Sequence, residues 1–181
     1  MNLFINGSNR EQNCSKIIND LKSEKCNIIN LANKDIKFCL GCNACAKKLK
    51  NHCVLSDFVT TTIYKSILEA DNIILVSPVY MSQVSGLIKS VIDRLNPFYN
   101  HNSLKNKNIY LILVGQASYN DNIEEINAIS SWLGGVSEWF SFNFEFLDYF
   151  ESGDNFKVNN VKVADKKYNK KIESIKQTIG I

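Results

Sequence analysis

Apolar runs of strand length alternate along this chain with stretches in which apolar residues recur every three or four positions. Alternating periods of this kind are typical of repeated βαβ units, which form a parallel sheet. The run at residues 72–76, Asn-Ile-Ile-Leu-Val, is uninterrupted, as a central strand covered on both faces requires. The predicted strands are residues 3–5, 27–31, 72–76, 109–114 and one within 138–147.

The intervening segments show helical periodicity. Cys14, Ile17, Ile18 and Leu21, for example, fall on one helical face. The predicted helices cover residues 14–21, 58–69 with Ser56 or Asp57 as N-cap, 84–95 ended by Pro97, 121–133 closed by Gly134-Gly135, and a last lysine-rich helix after a loop at 152–155. Five strands and five helices predict an α/β fold with a doubly wound sheet.

Composition narrows the class of protein. A chain of 181 residues suits one domain, and we expect residues 1–181 to form it. Without a basic, apolar leader or a membrane-length apolar run, we expect a cytoplasmic protein with no membrane partner. The net charge is +3, and seven lysines lie between Lys157 and Lys176. Opposite them Tyr168, Ile172, Ile175 and Ile179 form an apolar stripe, which favours a solvated helix face over nucleic-acid binding.

The loop after the first strand is a candidate anion site. Ligands of doubly wound sheets bind at the carboxyl ends of the strands. Residues 7–15, Gly-Ser-Asn-Arg-Glu-Gln-Asn-Cys-Ser, join strand to helix with hydroxyls, amides, a guanidinium and backbone N–H groups. These groups favour a phosphate at a helix N-terminus, although ordinary helix capping is an alternative. The spacing matches neither the Gly-x-Gly-x-x-Gly fingerprint nor the P-loop, which disfavours a dinucleotide-binding Rossmann domain or an NTPase.

Two further loops end strands at the same edge. Residues 77–83, Ser-Pro-Val-Tyr-Met-Ser-Gln, combine a rigid proline, an aromatic ring and a thioether, which suits a flat apolar ligand. Tyr80 and Met81 could equally belong to the core. Residues 115–120, Gly-Gln-Ala-Ser-Tyr-Asn, offer small residues and one aromatic face.

Four of the six cysteines lie within fifteen residues, as Cys39-x-x-Cys42-x-x-Cys45 followed by Cys53. Cysteines this dense in a chain without an export signal favour electron transfer or metal binding over disulfide bonds. Gly41 permits a tight turn between the first two thiols. A [4Fe-4S] cluster, a structural zinc ion and empty thiols are the three possibilities, and cysteines at successive two-residue gaps are more typical of ferredoxins than of zinc knuckles. Cys14 and Cys26 are isolated and are expected to act as small buried apolar residues.

The combined motifs resemble the NAD(P)H-dependent FMN reductase branch of the flavodoxin-like superfamily. They are Gly7-Ser8-x-Arg10 after the first strand, Ser77-Pro78-Val79-Tyr80 after the third, and residues 84–89 with Asp93-Arg94 in the next helix. The sequence departs from the family at Asn9, where proline is frequent, and at Ser56, where a second acidic residue is frequent. The resemblance implies a flavodoxin-like five-stranded parallel sheet, order 2-1-3-4-5, with helices on both faces.

The same resemblance implies bound FMN. Its phosphate is expected at Ser8, Arg10, Asn13 and Ser15, and its ring against Pro78, Val79, Tyr80, Met81, Ser82, Gly115, Ala117 and Tyr119. Within this branch the cysteine pattern resembles that of iron-sulfur flavoproteins, which makes Cys39, Cys42, Cys45 and Cys53 the expected metal ligands. In the implied topology the cysteine segment leaves the second strand on the flavin's side of the sheet.

The function that follows is that of an FMN-dependent oxidoreductase. Reducing equivalents would pass from NAD(P)H through FMN to a small-molecule or protein acceptor, with no side chain assigned as general acid or base. A flavodoxin-like electron carrier is the main alternative, disfavoured by the slightly basic charge, and a cysteine-rich redox module is a third. The family resemblance also implies a homodimer or homotetramer.

Overall fold

The computed structural model describes residues 1–47, 52–152 and 166–181. The strands are β1 (Asn2–Asn6), β2 (Cys26–Asn30), β3 (Asn72–Tyr80), β4 (Gln83–Val84), β5 (Asn108–Gly115) and β6 (Asn143–Glu151). The helices are α1 (Asn13–Leu21), α2 (Ala44–Lys47), α3 (Tyr64–Glu69), α4 (Gly86–Asp93), α5 (Ile123–Phe140) and α6 (Lys166–Ile179), with a π-helical turn at Val59–Ile63 and a 3-10 helix at Asn96–His101.

Five of the described strands form a parallel sheet in the order β2-β1-β3-β5-β6, while β4 pairs antiparallel with the end of β3. Counted without the two-residue β4, this is the predicted order 2-1-3-4-5, so the predicted fold class is confirmed. Because the strands are parallel, the loops that follow β1, β3 and β5 all emerge at one edge of the sheet.

Both faces of the sheet are buried. Leu3 and Ile5 point to the face covered by α3, α4 and α5, whereas Phe4 between them points to the face covered by α1 and α6. This alternation follows from the two-residue period of a strand. The apolar stripe predicted for the last helix is confirmed: Tyr168, Ile172, Ile175 and Ile179 are buried against α1 and the sheet.

The boundary predicted at Gly134-Gly135 is wrong. Helix α5 runs through both glycines to Phe140 and ends at Ser141, which takes a left-handed conformation. Two glycines cost a helix about 1 kcal/mol each relative to alanine, but burial of Phe140 (7% exposed) outweighs that cost. The last strand therefore lies at Asn143–Glu151 rather than within residues 138–147. Most of the loop predicted at 152–155 lies outside the described residues.

The helix predicted at residues 58–69 begins with the π-helical turn, and Asp57 is its cap. The Asp57 Oδ1 atom accepts hydrogen bonds from the backbone N–H groups of Val59 (3.1 Å) and Thr60 (3.3 Å). The helix predicted at 84–95 ends earlier, at Asp93, and Pro97 lies in the first turn of the 3-10 helix that follows.

Asparagines pair in a row across the edge of the sheet opposite the loops described above. The amide of Asn72 donates to Asn2 Oδ1 (2.7 Å), Asn108 donates to Asn72 Oδ1 (2.8 Å), and Asn143 donates to Asn108 Oδ1 (3.0 Å). Each of these four residues is the first of its strand, and neighbouring members are in register with one another. The row, named here the asparagine ladder, links the first residues of β1, β3, β5 and β6 through their side chains.

Within the described ranges, no helix has both the length and the apolar character needed to cross a bilayer.

Candidate functional site

A cleft of about 290 Å³ opens at the carboxyl edge of the sheet, where the loops after β1, β3 and β5 meet. A topological switch point lies here, because the chain passes from β1 outward to β2 and then back to β3. The cleft is lined by Ser8, Arg10, Gln12, Asn13, Cys14, Pro78, Val79, Tyr80, Met81, Val114, Gly115, Gln116 and Ser152.

The first loop is held in shape by its own polar groups. The Ser8 N–H donates to Asn6 Oδ1 (3.0 Å), and the Ser8 hydroxyl donates to the Arg10 carbonyl (2.9 Å) while accepting from the Arg10 N–H (3.1 Å). The first intrahelical bond of α1 runs from the Lys16 N–H to the Gln12 carbonyl (2.9 Å). The N–H groups of residues 13–15 precede that bond, so the positive end of the helix dipole borders the cleft.

Asn13 presents a buried acceptor beside this helix terminus. Its side-chain Oδ1 atom is buried and has no hydrogen-bond partner among the described residues. Buried acceptors are normally satisfied, so a ligand hydroxyl or amide is the partner that this position lacks. The neighbouring Cys14 is 3% exposed, as expected for a small core residue, and burial raises the pKa of its thiol to about 12. Cys14 is therefore a neutral wall of the cleft near neutral pH.

The second loop is a tight hairpin between β3 and β4. Its two central residues, Met81 (φ 49°) and Ser82 (φ 58°), both have left-handed backbones, which places two residues with side chains where glycine or asparagine is usual. Such strain is found more often at functional sites than elsewhere. Tyr80 is 39% and Met81 98% exposed, so neither is plain core.

The third loop is tied to the end of β6. The Gly115 carbonyl accepts from the Ser152 N–H (2.7 Å) and from its hydroxyl (3.0 Å). The hydroxyl of the buried Tyr149 donates to the Ala117 carbonyl (2.8 Å). Tyr119, which is 37% exposed, meets the Tyr149 ring edge to face at 6.1 Å.

Most of the predicted FMN residues come together in this cleft, namely Ser8, Arg10, Asn13, Pro78, Val79, Tyr80, Met81 and Gly115. Ser15, Ser82, Ala117 and Tyr119 do not line it. The Ser15 hydroxyl accepts from the Asn6 side chain (3.1 Å) and borders a neighbouring groove on α1. The lining residues not predicted are Gln12, Cys14, Val114, Gln116 and Ser152. Gln12 and Gln116 lay within the predicted loops, whereas no sequence signal linked Ser152 to them.

The cysteine segment, residues 39–53, lies after β2. Cys39 and Cys42 are exposed and Cys45 and Cys53 are partly buried, and all four are free thiols. Gly41 has the left-handed backbone (φ 62°) expected between the first two thiols. In the described parts of the chain, no three cysteine, histidine or acidic side chains converge as a metal site. The four-ligand set therefore stays a prediction.

Two groups beside the segment carry perturbed pKa values. Burial raises the pKa of Tyr64, and the proximity of Cys53 and Cys45 adds to the rise. Burial alone would lower the pKa of Arg94, but its hydrogen bonds to Asp57 raise it above its usual value. Arg94 is therefore a permanent cation beneath the cysteine segment.

The fold, with a cleft at the carboxyl edge of its sheet, defines a flavodoxin-like class of protein. The NADPH-dependent FMN reductase family model matches residues 2–136, and the chain belongs to that family. It is also similar to iron-sulfur flavoproteins. It is 31% identical to one from Methanosarcina thermophila over 137 residues, which cover 71% of this chain and 70% of that protein.

Other comparisons are narrower or more distant. The chain is 43% identical to an iron-sulfur flavoprotein of Methanocaldococcus jannaschii over 79 residues. This match covers 44% of this chain and only 39% of that relative's length. Among solved structures, the Trp repressor binding protein from Bacillus subtilis superposes with a TM-score of 0.65 at 15% identity, covering 98% of each chain. At that identity the likeness concerns the fold.

The residues of the cleft fit FMN. A helix N-terminus and Arg10 suit a phosphate, the unpartnered Asn13 oxygen suits a sugar-alcohol hydroxyl, and the strand-end loop from Pro78 to Met81 suits a flat ring. This agrees with the family, whose members are flavin-dependent oxidoreductases.

Proposed function

We propose that this protein is an FMN-dependent oxidoreductase that takes reducing equivalents from NAD(P)H and passes them to a small-molecule or protein acceptor. The observation that carries the proposal is the cleft at the switch point, which joins the N-terminus of α1 to a strained, exposed hairpin. Membership of the NADPH-dependent FMN reductase family supports it.

The phosphate end of the proposed site is built from the loop after β1. The Ser8 hydroxyl is already bonded to both backbone groups of Arg10, so its main role is to hold the loop around the anion. The N–H groups at the start of α1 donate to phosphate oxygens, and the Arg10 guanidinium balances their charge. Asn13 Oδ1 would accept a hydrogen bond from a hydroxyl group of the sugar-alcohol chain that joins the phosphate of FMN to its ring.

The ring end is built from the β3–β4 hairpin. FMN, when bound, supplies the hydride-accepting chemistry that protein side chains lack. The residues Pro78 to Met81 give the ring a rigid edge and backbone hydrogen-bonding groups. Tyr80 and Met81 are exposed on the outer side, which leaves room for a second ring, the nicotinamide, to approach. No acid or base is required of the side chains.

For the cysteine segment we propose metal ligation by Cys39, Cys42, Cys45 and Cys53, with a [4Fe-4S] cluster as the occupant. The similarity to iron-sulfur flavoproteins supports this assignment. Among the described residues no three of these thiols converge as a metal site, and Cys39 and Cys42 are the more exposed pair. The oxidoreductase function rests on the cleft and does not depend on this cluster.

We also propose that the protein forms a homodimer or homotetramer in which a partner subunit covers the exposed side of the cleft. The exposed aromatic residues Tyr80, Tyr99 and Tyr119, together with Met81, support this assembly. Light scattering of the FMN-loaded protein measures its mass directly, and a monomer at micromolar concentration contradicts the assembly.

An anaerobic reduction experiment tests the function. The FMN-loaded protein is mixed with NADPH and, separately, with NADH, and the flavin absorbance near 450 nm is followed on the order of seconds, the timescale of ordinary turnover. Bleaching by either nucleotide supports the oxidoreductase. Retention of FMN without bleaching contradicts it and favours the flavodoxin-like electron carrier, whereas failure to retain any flavin overturns both functions.

A further inference from the structure

A buried ion pair joins the helix α4 terminus to the chain that follows the cysteine segment. Arg94 donates from Nη1 to Asp57 Oδ2 (2.8 Å) and from Nη2 to Asp57 Oδ1 (3.1 Å). Both side chains are completely buried. Removing two charges from water costs free energy, and well-packed apolar side chains in place of a buried ion pair often give equal or greater stability. The pair therefore calls for a role in specifying geometry.

The same two side chains also hold the chain that leads into the cysteine segment. Arg94 Nη1 donates to the Lys37 carbonyl (2.9 Å), and the Lys37 N–H donates to Asp57 Oδ2 (2.9 Å). Two further hydrogen bonds join the segments 35–37 and 56–58. The Phe58 N–H donates to the Asp35 carbonyl (2.9 Å), and Lys37 Nζ donates to the Ser56 carbonyl (3.0 Å). Residues 37 and 57 bracket all four cysteines, so one ion pair holds both ends of the segment.

The residues next to Arg94 extend this contact into the segment itself. The Asn96 amide donates to Cys45 Sγ (3.1 Å), and the Tyr64 hydroxyl donates to the Arg94 carbonyl (2.5 Å). Cys53 packs against the apolar core on the same side. Cys45 and Cys53 are therefore held, whereas Cys39 and Cys42 are exposed to solvent.

We propose that Arg94 is the positioning residue of the cysteine segment. Acting through Asp57 and Lys37, it closes the base of the segment and keeps Cys45 and Cys53 in place, while Cys39 and Cys42 stay exposed. Arg94 does not line the flavin cleft, which makes the segment a module positioned independently of FMN. The proposal rests on the proposed function only in treating these thiols as a ligand set.

The test uses the FMN-loaded, metal-free protein and two chemical probes. Trypsin with mass spectrometry measures cleavage after Lys37, whose carbonyl Arg94 holds, and iodoacetamide measures alkylation of Cys45 and Cys53 relative to Cys39. The variants are Arg94→Lys, which keeps the charge but has a single donor nitrogen, and the neutral double variant Asp57→Asn/Arg94→Gln, which avoids leaving a buried charge unpaired. Ile67→Ala, a cavity in the same core with the ion pair intact, is the matched control.

In the double variant we expect cleavage after Lys37 to become about tenfold faster, since local opening then exposes the bond. The alkylation rates of Cys45 and Cys53 should approach that of Cys39. Both rates in Arg94→Lys, of cleavage and of alkylation, should fall between those of wild type and of the double variant. The FMN affinity should stay within about twofold, because the cleft is separate. Unchanged cleavage and alkylation in a folded double variant overturn the proposal. Equal effects in Ile67→Ala, or a parallel loss of FMN affinity, also overturn it, because the pair would then support the whole fold.

Neither probe requires iron or nicotinamide. Failure of the reductase function would appear as unbleached flavin, and failure of the cluster assignment as absent iron. Neither failure would change the cleavage pattern, so the role of Arg94 is decided separately.

Discussion

The hydroxyl group of Tyr149 occupies the space that a side chain at residue 115 would need. A Cβ atom built on Gly115 would lie 2.1 Å from Tyr149 Oη and 2.7 Å from its Cζ. Tyr149 donates its hydroxyl hydrogen to the Ala117 carbonyl and accepts from the Asn122 amide (2.7 Å), so it cannot move away without losing both bonds. The glycine is therefore required by the packing behind the third loop.

We expect Gly115→Ala to lower the free energy of unfolding by about 1–3 kcal/mol, the usual cost of overpacking a core. In the Tyr149→Phe background, which lacks the nearest atom, the same substitution should cost less. A double-mutant cycle by urea denaturation measures the difference. Additive effects would contradict the steric explanation.

The asparagine ladder predicts a second stability effect. Asn72→Leu removes a member of the ladder and leaves the Asn2 Oδ1 acceptor and the Asn108 Nδ2 donor without these partners. We therefore expect a loss of about 1–3 kcal/mol in the free energy of unfolding. Asn127→Ala, an exposed asparagine on α5, should change it by less than about 0.5 kcal/mol. Equal effects at both positions would show that the ladder contributes nothing specific. Urea denaturation with a fluorescence readout serves for both variants.

Acid should weaken the contact between α1 and α6. Burial by itself raises the pKa of Asp20, but hydrogen bonds from Tyr168 (2.6 Å) and Lys16 (2.9 Å) outweigh it and hold the pKa below its usual value. A depressed pKa contributes stability above the unfolded value of about 3.9, and this contribution is lost as the pH falls through the folded value.

Tyr168→Phe should therefore cost about 1 kcal/mol at neutral pH and progressively less below about pH 4. Denaturation midpoints of both proteins between pH 3 and pH 7 provide the comparison. A difference that stays constant over this range would exclude Asp20 as the acceptor that matters.

Cys42→Ala should separate the two proposed centres. After anaerobic incubation with ferrous iron and sulfide, we expect wild type to bind iron and the variant to lose most of it, because a cuboidal cluster needs four thiolates. Both proteins should keep FMN, since the cleft contains no residue of the cysteine segment. Cys26→Ala, whose thiol donates to the Ser23 carbonyl (3.0 Å), is the control. Unchanged iron content in Cys42→Ala would refute the ligand assignment.

The sequence predicted the parallel sheet well because both faces of its strands are apolar. Strand order and three loops at one edge followed from the pattern and from the family resemblance. The α5 boundary could not be predicted, because Gly134-Gly135 is a local stop signal that burial of Phe140 overrides. The β3–β4 hairpin was missed because Met81 and Ser82 occupy turn positions that usually carry glycine or asparagine.

Some residues of the cleft could be predicted from the sequence and others could not. Gln12 and Gln116 lie within the loops that the sequence predicts as ligand sites. Ser152 could not be predicted, because it reaches the cleft through pairing of β5 with β6 and a bond to Gly115 that only the folded chain creates. Likewise, the bond between Asp57 and Arg94 spans 37 positions and leaves no local signal.

The most direct test of the account compares FMN with riboflavin, which lacks only the phosphate. Affinities of the flavin-free protein are measured by quenching of flavin fluorescence, for wild type and Arg10→Ala, with Lys22→Ala on the exposed end of α1 as control. We predict that Arg10→Ala weakens FMN binding about 10–100-fold and changes riboflavin affinity less than about twofold, since charged hydrogen bonds contribute about 1.5–3 kcal/mol. Equal affinity of wild type for the two flavins, or equal losses in Arg10→Ala, would contradict a phosphate site at the start of α1.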